Sequence, residues 1–90
     1  MKLFWTREAV EDRRTIYDYI EAENPRAALA LDELFSDLAD LLPTNPQLGK
    51  SGRVSGTREL VVHRHYILVY DIEGQAVRVL RVLHSAMLWP

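Results

Sequence analysis

The stretch GTRELVVHRHYILVYDIEGQAVRVLRVLHSAMLWP, Gly56–Pro90, decides the fold of this chain. Three β-rich runs follow one another within it: Arg58–Val62, Tyr66–Ile72 and Ala76–Leu83. The separators, His63-Arg64-His65 and Glu73-Gly74, are short enough for hairpin turns, so the runs predict an antiparallel meander. In the middle run Tyr66, Leu68, Tyr70 and Ile72 alternate with Ile67 and Val69. A strand that is apolar on both faces belongs in the middle of a sheet. In the last run, alternation sets Arg78, Leu80, Val82 and His84 on one face and Val77, Val79, Arg81 and Leu83 on the other. Arg78 and His84 are thereby expected to share a surface with Arg58 or Tyr70.

Upstream of these runs, PTNPQLGKSGRVSG (Pro43–Gly56) holds two Pro, three Gly and two Ser and reads as a connecting loop. Before it, two helices are predicted. Thr6 offers an N-cap, with Glu8, Glu11 and Asp12 in the opening turns, and Ala9, Val10, Ile16, Tyr17 and Ile20 mark helix one over Arg7–Glu23. Asn24-Pro25 ends that helix and caps the next, which runs to about Leu42. Its apolar stripe is Ala28, Leu31, Leu34, Phe35, Leu38, Leu41 and Leu42. So short a connection makes the two helices an antiparallel hairpin. Lys2–Trp5 reads as a first strand. The expected fold is α+β, in the order β-α-α-β-β-β: a helical hairpin on one face of a small, mostly antiparallel sheet, the other face partly free. Leu31, Leu34, Phe35, Leu38 and Leu41 are its expected core.

Ninety residues make one domain with a small core, for which a constitutive partner is a reasonable expectation. Apolar residues at 48% and charged residues at 27% are globular values. The absence of Cys excludes disulfide and thiolate chemistry. Met1–Trp5 meets the charges of Arg7 and Glu8 too soon for a signal peptide, and no apolar run approaches the roughly 20 residues of a membrane span. Residues 1–49 carry five Lys/Arg against ten Asp/Glu, a balance of −5, whereas residues 50–90 carry six against three, a balance of +3. The sheet half is therefore the half expected to meet an acidic partner.

Few residues carry chemistry. His63, His65 and His84 are the only histidines. Two His at i, i+2 chelate, but Glu59 and Asp71 complete no diagnostic ligand spacing, so no metal is expected. No phosphate-binding Gly loop, dinucleotide fingerprint or nucleophile elbow is present, and no cofactor is expected. General acid–base work remains open. His84 directly follows the last strand and titrates near neutrality in its free form, while arginines nearby would stabilise developing negative charge. The plainer reading makes His84 a strand end and the arginines solvated stems. Tyr66, Tyr70 and Trp89 have faces for stacking on bases, but packing is the better reading of Tyr66 and Tyr70 on a central strand.

Three segments in this order, IYDYIEAENPRAALALDELF (Ile16–Phe35), PQLGKSGRVSGTRELVVHRHYILVYDI (Pro46–Ile72) and VRVLRVLHSAMLWP (Val77–Pro90), resemble the RelE/ParE superfamily of type II toxin–antitoxin toxins. The long helical hairpin, the block GTRELVVH…YILVY and the strand VLRVLH before a short tail resemble the ParE branch more closely. The resemblance covers residues 1–90 as a single toxin domain. It implies a cytoplasmic toxin held inactive by a cognate ParD/RelB-like antitoxin in a hetero-oligomer. ParE relatives are associated with poisoning DNA gyrase and need no covalent chemistry of their own. RelE relatives cleave mRNA on the ribosome as endoribonucleases.

The resemblance also places the expected site. Target contact falls to Arg58, Arg78, Arg81, His84 and Trp89. As a nuclease the chain would use His84 as acid or base, with Arg81 and Arg58 as electrostatic stabilisers. Two departures stand out. Ile67 occupies the position where RelE-type nucleases carry an Arg before LVY. Ala86-Met87 replaces the basic pair that ParE-like relatives commonly carry after the His. The altered tail leaves two further readings open: a detoxified module that only binds its antitoxin, or an apolar patch of Met87, Leu88 and Trp89 for the antitoxin or a second copy.

Overall fold

A single residue, Thr6, ends the first strand and starts the first helix. Its backbone is extended and its hydroxyl accepts the N–H of Ala9 at 3.1 Å, so one of the orphan donors of the new helix is satisfied at once. The computed structural model describes residues 1–87 and Trp89. In chain order the elements are β1 (Lys2–Trp5), α1 (Arg7–Glu21), α2 (Pro25–Asp40), β2 (Lys50–Ser51), β3 (Thr57–His63), β4 (Tyr66–Glu73) and β5 (Ala76–His84). They form one sheet in the order β1-β5-β4-β3-β2, with β1 parallel to β5 and the other pairs antiparallel. The expected α+β order is present. Its one addition is the two-residue β2, which lies inside the stretch read as loop.

Asn24 caps α2 through Oδ1, which accepts Ala27 N–H at 3.1 Å, and Pro25 takes the first helical position, where no N–H is needed. α1 stops two residues earlier than expected because Ala22–Asn24 form the turn into that cap. Arg13 then clamps the hairpin. Its guanidinium donates to both carboxylate oxygens of Asp32 at 2.9 Å and to Ser36 Oγ at 3.2 Å. The same guanidinium lies 4.5 Å from the ring centroid of Trp5 on β1, which ties strand and helices together.

The hairpin covers one face of the sheet. Ala9, Phe35, Ala39, Leu68, Val79 and Val82 form the main core, and Leu42, Tyr70 and Val77 extend it. Of the expected core residues only Phe35 is fully buried. Leu31, Leu34 and Leu38 are half-buried and Leu41 is exposed. The buried seam of this segment is Ala28, Phe35, Ala39 and Leu42, and Leu41 lies about 130° round the helix from that line. Beneath the hairpin, the Tyr70 hydroxyl donates to Pro46 O at 2.7 Å and accepts Gly49 N–H at 2.8 Å, so a central-strand side chain fixes the loop before β2.

β4 is the middle of the five strands, as its two apolar faces predict. The expected alternation of β5 fails. The register with β4 shifts between Val69↔Arg81 and Tyr70↔Val79, leaving Leu80 as an extra residue, a β-bulge. Past it the faces exchange. Val77, Val79 and Val82 point to the helices, while Leu83 joins Ile67 and Val69 on the other side. Arg78 and His84 consequently occupy opposite faces.

Candidate functional site

The five residues expected to touch a target do not form one basic face. Arg58 lies on the helix side next to Tyr70 in register, and Nη1 donates to the carbonyl of Gly49. Arg78 lies on the opposite face across from Asp71. Its Nε and Nη2 bond the two oxygens of Asp71 at 2.9 and 2.6 Å, and Nη2 also meets Glu73 at 2.9 Å. The hydrogen bonds it donates to Asp71 hold the Arg78 guanidinium above its ordinary pKa, against a smaller lowering by desolvation.

Arg81 is committed in the same way, to α1. Nε and Nη2 donate to Asp12 Oδ2 and Oδ1 at 2.7 and 3.0 Å, and Val82 N–H donates to Oδ2 at 2.9 Å. Asp12 raises the pKa of Arg81 chiefly through these hydrogen bonds. This junction continues the protection of the edge of β5. β1 pairs with β5 from Ala76 to Val79, Thr6 Oγ then donates to Leu80 O at 2.9 Å, and Asp12 takes the next N–H.

Trp89 packs on Ile67, Val69 and Leu83, the apolar centre of the face that no helix covers. The Arg81 guanidinium is 6.0 Å from its ring centroid. Val69 is flanked in register by Glu59 on β3 and Arg81 on β5. Glu59 is 5% exposed and is paired with Arg53, whose N–H donates to Oε2 at 2.9 Å. This face is therefore an apolar strip under an indole, edged by neutralised ion pairs. Leu88, expected in an apolar patch with Met87 and Trp89, lies outside the described residues, as does Pro90.

His84 is the last residue of β5, next to Leu83 but on the helix side. Its ring stacks on His65 at 5.4 Å with planes 11° apart and meets Tyr66 edge-on at 5.4 Å. His63 is 5.9 Å from His65. These side chains, with Ile20, Leu31 and Leu34 from the hairpin, line a groove of about 480 Å³. Nδ1 of His84 accepts Ala86 N–H at 3.1 Å and Nδ1 of His63 accepts His65 N–H at 3.4 Å. Among the described residues no group of three or more His, Cys, Asp or Glu is placed to hold a metal ion.

Sequence reasoning placed His63 and His65 at a turn, where the structure has them exposed, but missed that the His65 ring stacks on His84. It also missed Asp12 and Glu59, which decide which arginines are free. The only advance signal for Asp12 was its place in the first turns of α1, and nothing there pointed to β5.

The sequence model of the ParE toxin of type II toxin–antitoxin systems, parDE, matches residues 3–89. This chain belongs to that family. It is 34% identical to a putative toxin, Y4kP, of Sinorhizobium fredii over 90 residues, covering 99% of this chain and 93% of the relative. It is 32% identical to the toxin RelE2 of Caulobacter vibrioides, covering 97% and 98%. A solved structure of the chromosomal ParDE system of Pseudomonas aeruginosa contains a chain 27% identical that superposes with a TM-score of 0.84, over 93% of this chain and 95% of that one. As a ParE-family toxin the chain carries Ile67 at the centre of its open face, and Trp89 is seated on it. Solved relatives of similar identity, 27% and 28%, come from systems named ParDE and RelBE2.

Proposed function

We propose that this ParE-family toxin acts by gripping a protein target, DNA gyrase, and that a cognate antitoxin neutralises it. One observation carries the choice of mechanism. On the sheet face away from the helices, Ile67, Val69 and Leu83 are buried beneath Trp89, and the arginines around them are already paired: Arg53 with Glu59, Arg78 with Asp71 and Glu73, Arg81 with Asp12. Binding RNA needs cations free to replace counterions on phosphates, and cutting it needs charge stabilisation at the reacting phosphate. An apolar strip with a polar rim is instead the anatomy of a protein–protein interface. The antitoxin assignment is supported by the similar chain from Pseudomonas aeruginosa, which belongs to a ParDE system.

The test is purified toxin with gyrase and relaxed plasmid. Supercoiling should fall and cleaved DNA held by gyrase should accumulate, and added antitoxin should reverse both. Unimpaired supercoiling at excess toxin would overturn the gyrase reading. The ribosome-dependent endoribonuclease reading has one specific support, the stacked pair His65 and His84 beside Tyr66. It predicts mRNA cut within codons on programmed ribosomes, abolished by His84→Ala. An induced chain that expresses well and leaves growth untouched would instead be a detoxified, antitoxin-binding module.

A further inference from the structure

Asp12 belongs to none of the residues assigned to target contact, yet its carboxylate is spent on β5 rather than on its own helix. Oδ2 accepts Arg81 Nε–H at 2.7 Å and Val82 N–H at 2.9 Å, and Oδ1 accepts Arg81 Nη2–H at 3.0 Å. The bulge at Leu80 makes this geometry available by breaking the alternation of β5 just before Arg81. Beyond the guanidinium lies the Trp89 indole, 6.0 Å from guanidinium carbon to ring centroid. A carboxylate, a guanidinium and an indole thus stand in series from the edge of α1 to the open face of the sheet. The indole rests on Ile67, Val69 and Leu83.

The seat under Trp89 is incomplete in one respect. Its Nε1–H is buried and has no hydrogen-bond partner among the described residues. Trp buried in proteins usually finds an acceptor, and a buried donor without one is a standing cost that favours the released position. What offsets that cost is the apolar packing and the ordered guanidinium, and the guanidinium is ordered by Asp12.

We propose that Asp12 is a positioning residue that holds Arg81 and Trp89 in a closed resting position, from which both must be released to touch a target. The inference rests on the reading that Arg81 and Trp89 contact the target. Opening frees a cation, an indole donor and an apolar strip together, so the interface stays shut until a partner supplies the missing acceptor. The closed state is a population, and whatever weakens the Asp12–Arg81 pair shifts it toward the open one.

The experiment uses the full chain with Trp5→Phe, which leaves Trp89 as the one indole of the two in the sequence. Acrylamide quenching and the emission maximum report its exposure. The closed position predicts blue-shifted emission and protection from quencher. Asp12→Asn in that background keeps an acceptor for Val82 N–H and removes the charge, and it should shift emission to the red and abolish the protection while far-UV circular dichroism is unchanged. A purely structural role for Asp12 would lower the melting temperature and leave Trp89 protected in the folded protein. Arg81→Gln asks the same question from the other partner if Asp12→Asn does not fold. Trp89 equally protected in whichever of these variants folds, or already freely quenched in the parent, overturns the proposal. Parental quenching that is protected at low salt and rises with ionic strength supports it without any variant at the pair. Quenching needs no gyrase, so failure of the gyrase assay and failure of this inference are separate results.

Discussion

Tyr70 ties the middle of the sheet to a loop more than twenty residues earlier, and the phenol oxygen is the whole of that tie. Tyr70→Phe keeps the ring and strands Gly49 N–H and Pro46 O, so it should cost about 1–3 kcal/mol, read as a lower urea midpoint at constant m. Gly49 is the counterpart of that hydroxyl. A Cβ there would lie 2.8 Å from the Tyr70 ring and 2.9 Å from the carbonyl of Glu59, so Gly49→Ala should also destabilise, by pushing the loop off the sheet. Tyr66 responds to pH. Burial raises its pKa above the ordinary 10.0, with a smaller contribution from Tyr19. The folded state therefore holds that proton more tightly than the unfolded chain does. The resulting stability is fully present below pH 10.0 and is lost as pH rises through the higher folded value. An alkaline melting series should show this limb, flattened in Tyr66→Phe.

The elements were legible to the extent that their signals are local. Thr6, Asn24 and Pro25 act within three residues of themselves, and their caps stand where the sequence puts them. Gly74 opens the two-residue turn joining β4 and β5 with φ of 58°, in open space. Gly74→Ala meets no neighbour and should cost about 1–2 kcal/mol through backbone strain alone, measurable by thermal denaturation. In α2, Phe35 carries the packing on the sheet, and Phe35→Ala should lose about 3–5 kcal/mol, enough to unfold much of the population of so small a domain. The faces of β5 were not legible. Alternation is a rule for unbroken ladders, and one extra residue at Leu80 inverts every assignment after it. The same bulge separated Arg78 from His84.

Across the whole molecule, the acidic first half and basic second half do not stay apart. Asp12 reaches 69 residues along the chain to Arg81, and the other arginines of the open face are matched within the sheet half. Of the net +3 of residues 50–90, Asp12 offsets only the charge of Arg81, and Lys50, Arg58 and Arg64 have no salt-bridge partner among the described residues, while the centre of the open face is apolar. A domain with this core gains stability from anything that binds its folded form. Its melting temperature should rise with antitoxin concentration, by about RT ln(1 + [L]/Kd) in free energy, and a melting curve indifferent to antitoxin would refute that partnership.

The sequence by itself determined the element order, the hairpin, both helix caps, the central place of β4 and membership of the toxin family. Each of these is written in residues near one another or in the order of segments. Only the tertiary structure decided which cations remain free, which face each residue of β5 presents, and that the three histidines form one cluster. Those outcomes depend on a single inserted residue in a ladder and on pairings between residues dozens of positions apart, such as Asp12 with Arg81. No local pattern encodes such pairings, because the partner's position exists only once the chain has folded.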